Sequence, residues 1–213
     1  MAVRAVYTKN LLEKSSPKYQ FTGVLGDVLG KPGTSGIWLI YGAEKNGKTW
    51  LSVKLAEFVS GYAKTLYVSG EEGLDDTFLK TCARAKLNPH NRKLKFLDYT
   101  PLDELDEYLS KRQAAKIVFI DNITVYNDEL KNGVLRKFVA KHSDKIFVFI
   151  AHEENNEPYS ATAKMAKRLA KILIRVVGLK AFVAGRCPGG ELTIDMERAV
   201  LYHGTNNINY NKL

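Results

Sequence analysis

Residues 37–49 read Ile37-Trp38-Leu39-Ile40-Tyr41-Gly42-Ala43-Glu44-Lys45-Asn46-Gly47-Lys48-Thr49, and this stretch decides the fold class. A short apolar run ends in Gly42, the spacing from Gly42 to Thr49 satisfies G-x-x-x-x-G-K-[ST], and residues 48–60 then carry a helical pattern. Strand, glycine-rich turn and helix in that order are the context that turns the pattern into evidence. Its chemistry is phosphate binding. The glycines let backbone N–H groups wrap a β-phosphate at a helix N-terminus, Lys48 places a cation on the β/γ oxygens, and Thr49 offers a hydroxyl to Mg²⁺. The expected nucleotide contacts are Gly42, Ala43, Glu44, Lys45, Asn46, Gly47, Lys48, Thr49 and the adjoining Trp50.

Downstream of this unit, β-rich runs at 65–69, 94–97, 116–120 and 145–151 alternate with helical patterns near 74–85, 102–112, 128–141 and 160–171. That alternation predicts an α/β fold with a mostly parallel central sheet flanked by crossover helices, and burial of both sheet faces explains the continuous apolar strands. After residue 171 the pattern changes. Runs at 172–177, 180–184, 191–195 and 198–202 are joined by Gly and Pro turns too short for crossover helices, which predicts a C-terminal antiparallel meander. Upstream, residues 1–36 are polar and punctuated by Pro17 and Pro32, which reads as an arm or cap. The expected division is an arm over 1–23, one core over 24–203 and a loose Asn-rich tail over 204–213.

Two carboxylate positions belong with the phosphate loop. Ile117-Val118-Phe119-Ile120-Asp121 is a buried strand ending in an acid. A charge there needs a partner because desolvating it alone is expensive; a hydrated Mg²⁺ shared with Thr49 supplies one, and capping of the next helix is the competing explanation. The strand at 65–69 runs into Gly70-Glu71-Glu72, which sets two carboxylates at a carboxyl edge of the sheet, where open α/β sheets bind ligands. One of them can orient a hydrolytic water; a pair of solvated loop acids is the plainer alternative.

Size and composition bound the rest. The 213 residues fit one α/β domain, and 45% hydrophobic with 26% charged residues is ordinary globular composition. An excess of 32 Lys and Arg over 23 Asp and Glu, or +9, favours polyanionic partners, although a generally solvated basic surface explains the same number. Cys82 and Cys187 are far apart and show neither CxxC nor Cys/His spacing, so no disulfide framework or zinc site is expected. The start, Met1-Ala2-Val3-Arg4, leads into a polar stretch without an apolar leader, and no apolar run approaches the roughly 18 residues of a membrane span. A cytoplasmic protein without a membrane partner is expected.

With these residues in place, the chain resembles the RecA/RadA/DnaB/KaiC superfamily of P-loop ATPases over about residues 24–203, and most of all the small RecA-like ATPases of bacteriophages and mobile elements. The phrase Tyr67-Val68-Ser69-Gly70-Glu71-Glu72 resembles the catalytic-glutamate strand of RadA and KaiC proteins. In RecA-type recombinases an Asp and an aromatic four and seven places beyond that glutamate contact adenine, which implies Asp75 and Phe78 here and favours Glu71 over Glu72. The strand ending Ile150-Ala151-His152 resembles the one that carries a polar γ-phosphate sensor, which implies His152. Ala181-Phe182-Val183-Ala184-Gly185-Arg186 resembles the finger hairpin in which Lys-x-Arg reaches a neighbouring subunit's nucleotide. Ala184 stands at the lysine position and Arg186 keeps the arginine.

The resemblance implies ATP and Mg²⁺ as cofactors, a homo-oligomeric ring or filament, and DNA, single-stranded rather than double-stranded, as partner in recombination, repair or replication. DNA would touch loops near 122–133 and 153–165. The second holds Glu153, Glu154 and Glu157, offset by Lys164, Lys167, Arg168 and Lys171, which share one face if the helix runs through them; a solvated amphipathic face is the alternative for those cations. A P-loop phosphotransferase acting on a small molecule and an ATP-binding assembly subunit with weak hydrolysis also stay open.

Overall fold

A computed structural model describes residues 5–204. In chain order the elements are α1 (Thr8–Leu12), α2 (Gly23–Leu29), β1 (Gly36–Gly42), α3 (Lys48–Ser60), β2 (Thr65–Ser69), α4 (Asp76–Arg84), β3 (Leu94–Asp98), α5 (Leu102–Ser110) and β4 (Ile117–Asp121). A 3-10 turn (Ile123–Tyr126) follows, then α6 (Asn127–Leu130), α7 (Val134–Lys141), β5 (Ile146–Glu154), β6 (Glu157–Pro158), α8 (Ala161–Leu169), β7 (Ala170–Val177), β8 (Lys180–Gly185), β9 (Gly190–Thr193) and α9 (Met196–His203). The sheet order is β3-β2-β4-β5-β1-β7-β8-β9, with β6 paired to β5. From β3 to β7 all neighbours are parallel, and β8 and β9 extend the sheet antiparallel.

Strand alternation feeds two apolar layers. Trp38 and Ile40 of β1, with Tyr67 and Phe119, pack under α2, α3 and α4. Ile37, Leu39 and Tyr41, with Val68, Ile120 and Phe149, face α5, α7 and α8. Covering both faces is why these strands are apolar at successive positions. Phe21, within the polar N-terminal stretch, is a core residue whose ring meets Trp38, Phe58 and Tyr62.

The structure departs from sequence expectation at four places. The helix expected over 128–141 is broken between α6 and α7 by Asn132 and Gly133, both at positive φ, an Asn-Gly turn signal inside an otherwise helical pattern. The helix expected to reach 171 stops at Leu169 and passes directly into β7. The strand expected at 198–202 is the helix α9, whose first turn is capped by Asp195 accepting from the Arg198 N–H at 3.2 Å. Finally, β7 is parallel to β1 and antiparallel only to β8, so the antiparallel segment starts one strand later than expected. Met1–Arg4 and residues 205–213, most of the expected tail, lie outside the described residues. Among the described residues no helix is long and apolar enough to cross a membrane.

Candidate active site

The carboxyl ends of β1, β2, β4 and β5 meet at a cleft of about 450 Å³ lined by Glu44, Lys45, Gly47, Lys48, Thr49, Trp50, Glu71, Glu72, Thr81, Arg84, Asp121 and His152. The phosphate loop leaves β1 at Gly42, where any Cβ would collide with the Val176 carbonyl of the neighbouring strand, so glycine alone lets the chain turn there. Gly47 enters α3 at φ 95°, the left-handed region, with Leu179 filling the space a side chain would need. The loop is braced from outside by the β7–β8 turn. The Asn46 carboxamide oxygen accepts from the Gly178 N–H, and its backbone carbonyl accepts from the Leu179 N–H at 3.3 Å. Asn46 is thus a loop brace. Lys48 is buried, its ammonium donating to the Ala43 carbonyl at 2.8 Å across the loop. Burial pulls its pKa down, opposed by Asp121, Glu71 and Glu44.

Asp121 at the end of β4 is buried and hydrogen-bonded to Thr49. Its Oδ2 accepts from the Tyr67 hydroxyl at 2.6 Å, and that hydroxyl lies 2.7 Å from Ser52 Oγ. Tyr67 has one proton and gives it to Asp121, while the Ser52 hydroxyl also lies within donating distance of the Thr49 carbonyl, at 2.9 Å. Desolvation raises the Asp121 pKa, while the hydrogen bonds from Tyr67 and Thr49 hold it down. A buried carboxylate beside the phosphate-loop hydroxyl is the donor set a hard divalent cation uses. Among the described residues no three His, Cys, Asp or Glu side chains converge as a protein-only cage, so Thr49 and Asp121 would hold Mg²⁺ together with nucleotide oxygens and water.

Glu71 is fixed from three directions. The Gly70 and Glu71 N–H groups both point at the Asp121 carbonyl, at 2.5 and 3.1 Å, which ties the end of β2 to the end of β4. The Glu71 carboxylate meets His152 Nε2 at 3.0 and 3.2 Å and accepts from Asn122 Nδ2 at 3.1 Å. The His152 hydrogen bond is the main cause of a lowered Glu71 pKa, outweighing desolvation, with Asn122 adding to it. Glu72 has the opposite electrostatics: burial, then repulsion from Asp121, Asp75 and Glu71, raises its pKa. Of the two adjacent acids, Glu71 is the one whose carboxylate is gripped and aimed, by His152 and Asn122. Asn122 escapes a sequence reading because an Asn after a strand reads as a turn residue; it does cap the 3-10 turn, its Oδ1 accepting from the Thr124 N–H at 3.1 Å. The Asp121–Asn122 peptide is cis.

Asp75 and Phe78, expected at the adenine, are not brought to the cleft. Asp75 is the N-cap of α4, accepting from the Phe78 N–H at 2.9 Å. That cap sets Phe78 one turn in and turns it toward the sheet, where it is 1% exposed against Tyr67 and Phe96. The flat surface on this side comes from Trp50 and Arg84 instead, the guanidinium carbon lying 4.2 Å from the Trp50 ring centroid. Thr81 and Arg84 sit one and two turns further along α4 than Phe78, so the family spacing misses both.

Arg186 is exposed beyond the end of β8 and does not line its own chain's cleft; its N–H donates to the Lys171 carbonyl at 2.7 Å. The basic stripe is smaller than expected. Lys164 and Arg168 are exposed on α8, but Lys167 donates to both Glu157 oxygens at 2.7 and 2.8 Å. Because α8 ends at Leu169, Lys171 falls in β7, where it donates to the Ser35 carbonyl at 2.6 Å. In the acidic loop, Glu153 is nearly buried in a two-pronged pair with Arg175, at 2.8 Å twice.

No protein-family model and no curated protein matches the sequence. Solved structures do match. The flagellar accessory protein FlaH of Methanocaldococcus jannaschii superposes with a TM-score of 0.60 at 18% identity, over 83% of this chain and 91% of its own. The KaiC-like protein PH0186 of Pyrococcus horikoshii superposes with a TM-score of 0.62 at 16% identity, over 80% of this chain and 89% of its own. At such identities the likeness is one of fold. The fold is the RecA-like P-loop fold, with a mostly parallel sheet and antiparallel C-terminal strands.

Proposed function

We propose that the chain hydrolyses ATP with Mg²⁺, Glu71 being the residue that orients and deprotonates the attacking water. The observation that carries this reading is the Glu71 carboxylate, held by His152 and Asn122 on the rim of a cleft whose floor is Lys48, Thr49 and Asp121. The loop N–H groups and Lys48 bind the β- and γ-phosphates, for which the ammonium exchanges its bond to Ala43. Thr49 and Asp121 would hold Mg²⁺, which when bound would supply charge neutralisation for the transferring phosphoryl group. The contact of His152 with Glu71 supports a role for it in sensing the γ-phosphate through the same carboxylate. The Trp50–Arg84 stack gives the nucleotide base a flat, cationic neighbour.

The finer reading is hydrolysis coupled to DNA within an oligomer. It rests on the +9 net charge and on exposed Lys164 and Arg168. Steady-state turnover tests the chemistry. Lys48→Ala should lose hydrolysis and most ATP affinity, whereas Glu71→Gln should bind ATP and lose kcat by a hundredfold or more, at about 1.4 kcal/mol per tenfold. Parental turnover in Lys48→Ala, or a loss in Glu72→Gln with none in Glu71→Gln, overturns the assignment.

A further inference from the structure

Another concave site lies at the opposite edge of the sheet. Lys64 precedes β2, Lys93 precedes β3, Lys95 is the second residue of β3, and Gln113 lies in the connection to β4. With Arg92 and Tyr108 they line a pocket of about 240 Å³. It opens at the amino ends of the parallel strands. The nucleotide cleft opens at the carboxyl ends, so the five residues of β2 separate the two by roughly 16 Å at about 3.3 Å per residue.

Several lysines elsewhere are matched, Lys116 with Asp144, Lys131 with Asp128, Lys141 with Asp106 and Lys167 with Glu157, whereas at this edge four cations line one concavity. No Asp or Glu lines this pocket, and none forms an ion pair with Lys64, Arg92, Lys93 or Lys95 among the described residues. The interactions of Lys64 and Lys93 are with neutral oxygens, the Gln113 carboxamide at 3.2 Å and the Gly61 carbonyl at 3.5 Å. Lys111 and Arg112, both exposed, continue the positive surface past Gln113. Four cations brought together without a counter-charge repel one another, and an anion bound among them relieves that repulsion.

The geometry points to this pocket as a binding site for the phosphodiester backbone of single-stranded nucleic acid. Continuation of the charge through Lys111 and Arg112 favours a chain of phosphates over one free phosphate; the Lys111 ammonium lies over the partly exposed Tyr108 ring, 5.8 Å from its centroid, so an aromatic surface adjoins the cations. The inference deepens the nucleic-acid part of the proposed function and relocates contact away from α8, where Lys167 is already paired.

Anisotropy of a fluorescein-labelled 15-nucleotide single strand tests it, titrated from 50 to 300 mM salt. Lys64→Ala/Arg92→Ala/Lys93→Ala/Lys95→Ala should weaken binding at least tenfold and flatten the log–log salt slope by about 3, at about 0.7 per lost phosphate contact. A charge-matched control, Lys14→Ala/Lys31→Ala/Lys80→Ala/Lys137→Ala, should keep most of both. Equal losses in the two variants, or a loss only in Lys164→Ala/Arg168→Ala, overturn the site. Displacement of the strand by millimolar inorganic phosphate at fixed ionic strength overturns the polymeric ligand in favour of a free one. Lys48→Ala in the same titration should bind the strand without hydrolysing ATP. A parental protein that hydrolyses ATP but binds no strand at 50 mM salt overturns this inference and leaves the ATPase reading standing.

Discussion

His152 Nε2 lies 3.0 Å from Glu71 Oε1, which joins the end of β5 to the end of β2 across β4. Those residues are 81 apart in sequence, and Asn122 at the end of the intervening β4 holds the other carboxylate oxygen. Three strand ends therefore fix one water-orienting group. Because a misplacement of about 1 Å can cost a hundredfold in rate, the supporting residues carry testable consequences.

Asn122 is a positioning residue with two separable bonds. Asn122→Asp keeps the oxygen that caps the 3-10 turn but replaces the donor to Glu71 with a like charge. We expect kcat to fall tenfold or more and the melting temperature to drop as well, because Asn122 is fully buried and the new carboxylate is desolvated beside Asp121. The Glu71 pKa is depressed by its donors, so removing one and adding an acid raises it, and the acid limb of the kcat profile should move to higher pH. An unmoved limb would reduce Asn122 to a turn cap.

Tyr67 acts one step further back. Its hydroxyl lowers a carboxylate pKa that burial raises, so Tyr67→Phe should push the Asp121 pKa up again. Protonated Asp121 is a poor Mg²⁺ ligand. The expected signature is an acid limb at higher pH that excess Mg²⁺ partly restores, which distinguishes this variant from Asn122→Asp. The missing buried hydrogen bond should also cost about 1–3 kcal/mol of stability, read as a lower denaturant midpoint.

Of the chain's two tryptophans, Trp38 is 1% exposed in the core and Trp50 lines the nucleotide cleft under Arg84. ATP should change the emission of Trp50, and Trp50→Phe should abolish the change. Arg84→Ala should raise KM for ATP severalfold and narrow the preference for purine over pyrimidine triphosphates. Unchanged KM and selectivity would separate the stack from the base.

Arg186 cannot serve its own chain's cleft, so a role in hydrolysis requires a second copy. Beside the nucleotide cleft, sharing Glu44 and His152 with it, is a hollow of about 440 Å³ also lined by Thr124, Glu153, Glu154 and Tyr159. Glu44 and Glu154 there are exposed and would face an incoming guanidinium, Glu153 being already held by Arg175. Turnover per chain should rise with protein concentration, and Arg186→Ala should remove that rise while leaving nucleotide affinity intact. Concentration-independent turnover in a protein that sediments as a monomer with ATP and DNA would make Arg186 an ordinary surface charge.

The sequence by itself determined the phosphate loop, the acid ending β4 and the order of the parallel strands' supporting helices, because each is written locally. Gly42, Gly47, Lys48 and Thr49 lie within one turn and one helix end, and apolar runs report burial without reference to their neighbours. The choice between Glu71 and Glu72 was legible only through resemblance; the structure separates them electrostatically, since His152 and Asn122 reach one acid and leave the other among like charges. The residues expected at the adenine lie outside the cleft for a related reason. Spacing from Glu71 is a property of the chain, but which side of α4 faces the cleft is set by the Asp75 cap, and that cap buries Phe78 and exposes Arg84 to Trp50. The cations before β2 and β3 could not be grouped from sequence, because Lys64 and Lys93 meet only when their strands pair in register, Thr65 beside Leu94. Local backbone chemistry is readable in one dimension, whereas charge clustering and the aim of a side chain depend on which strand ends the sheet brings side by side.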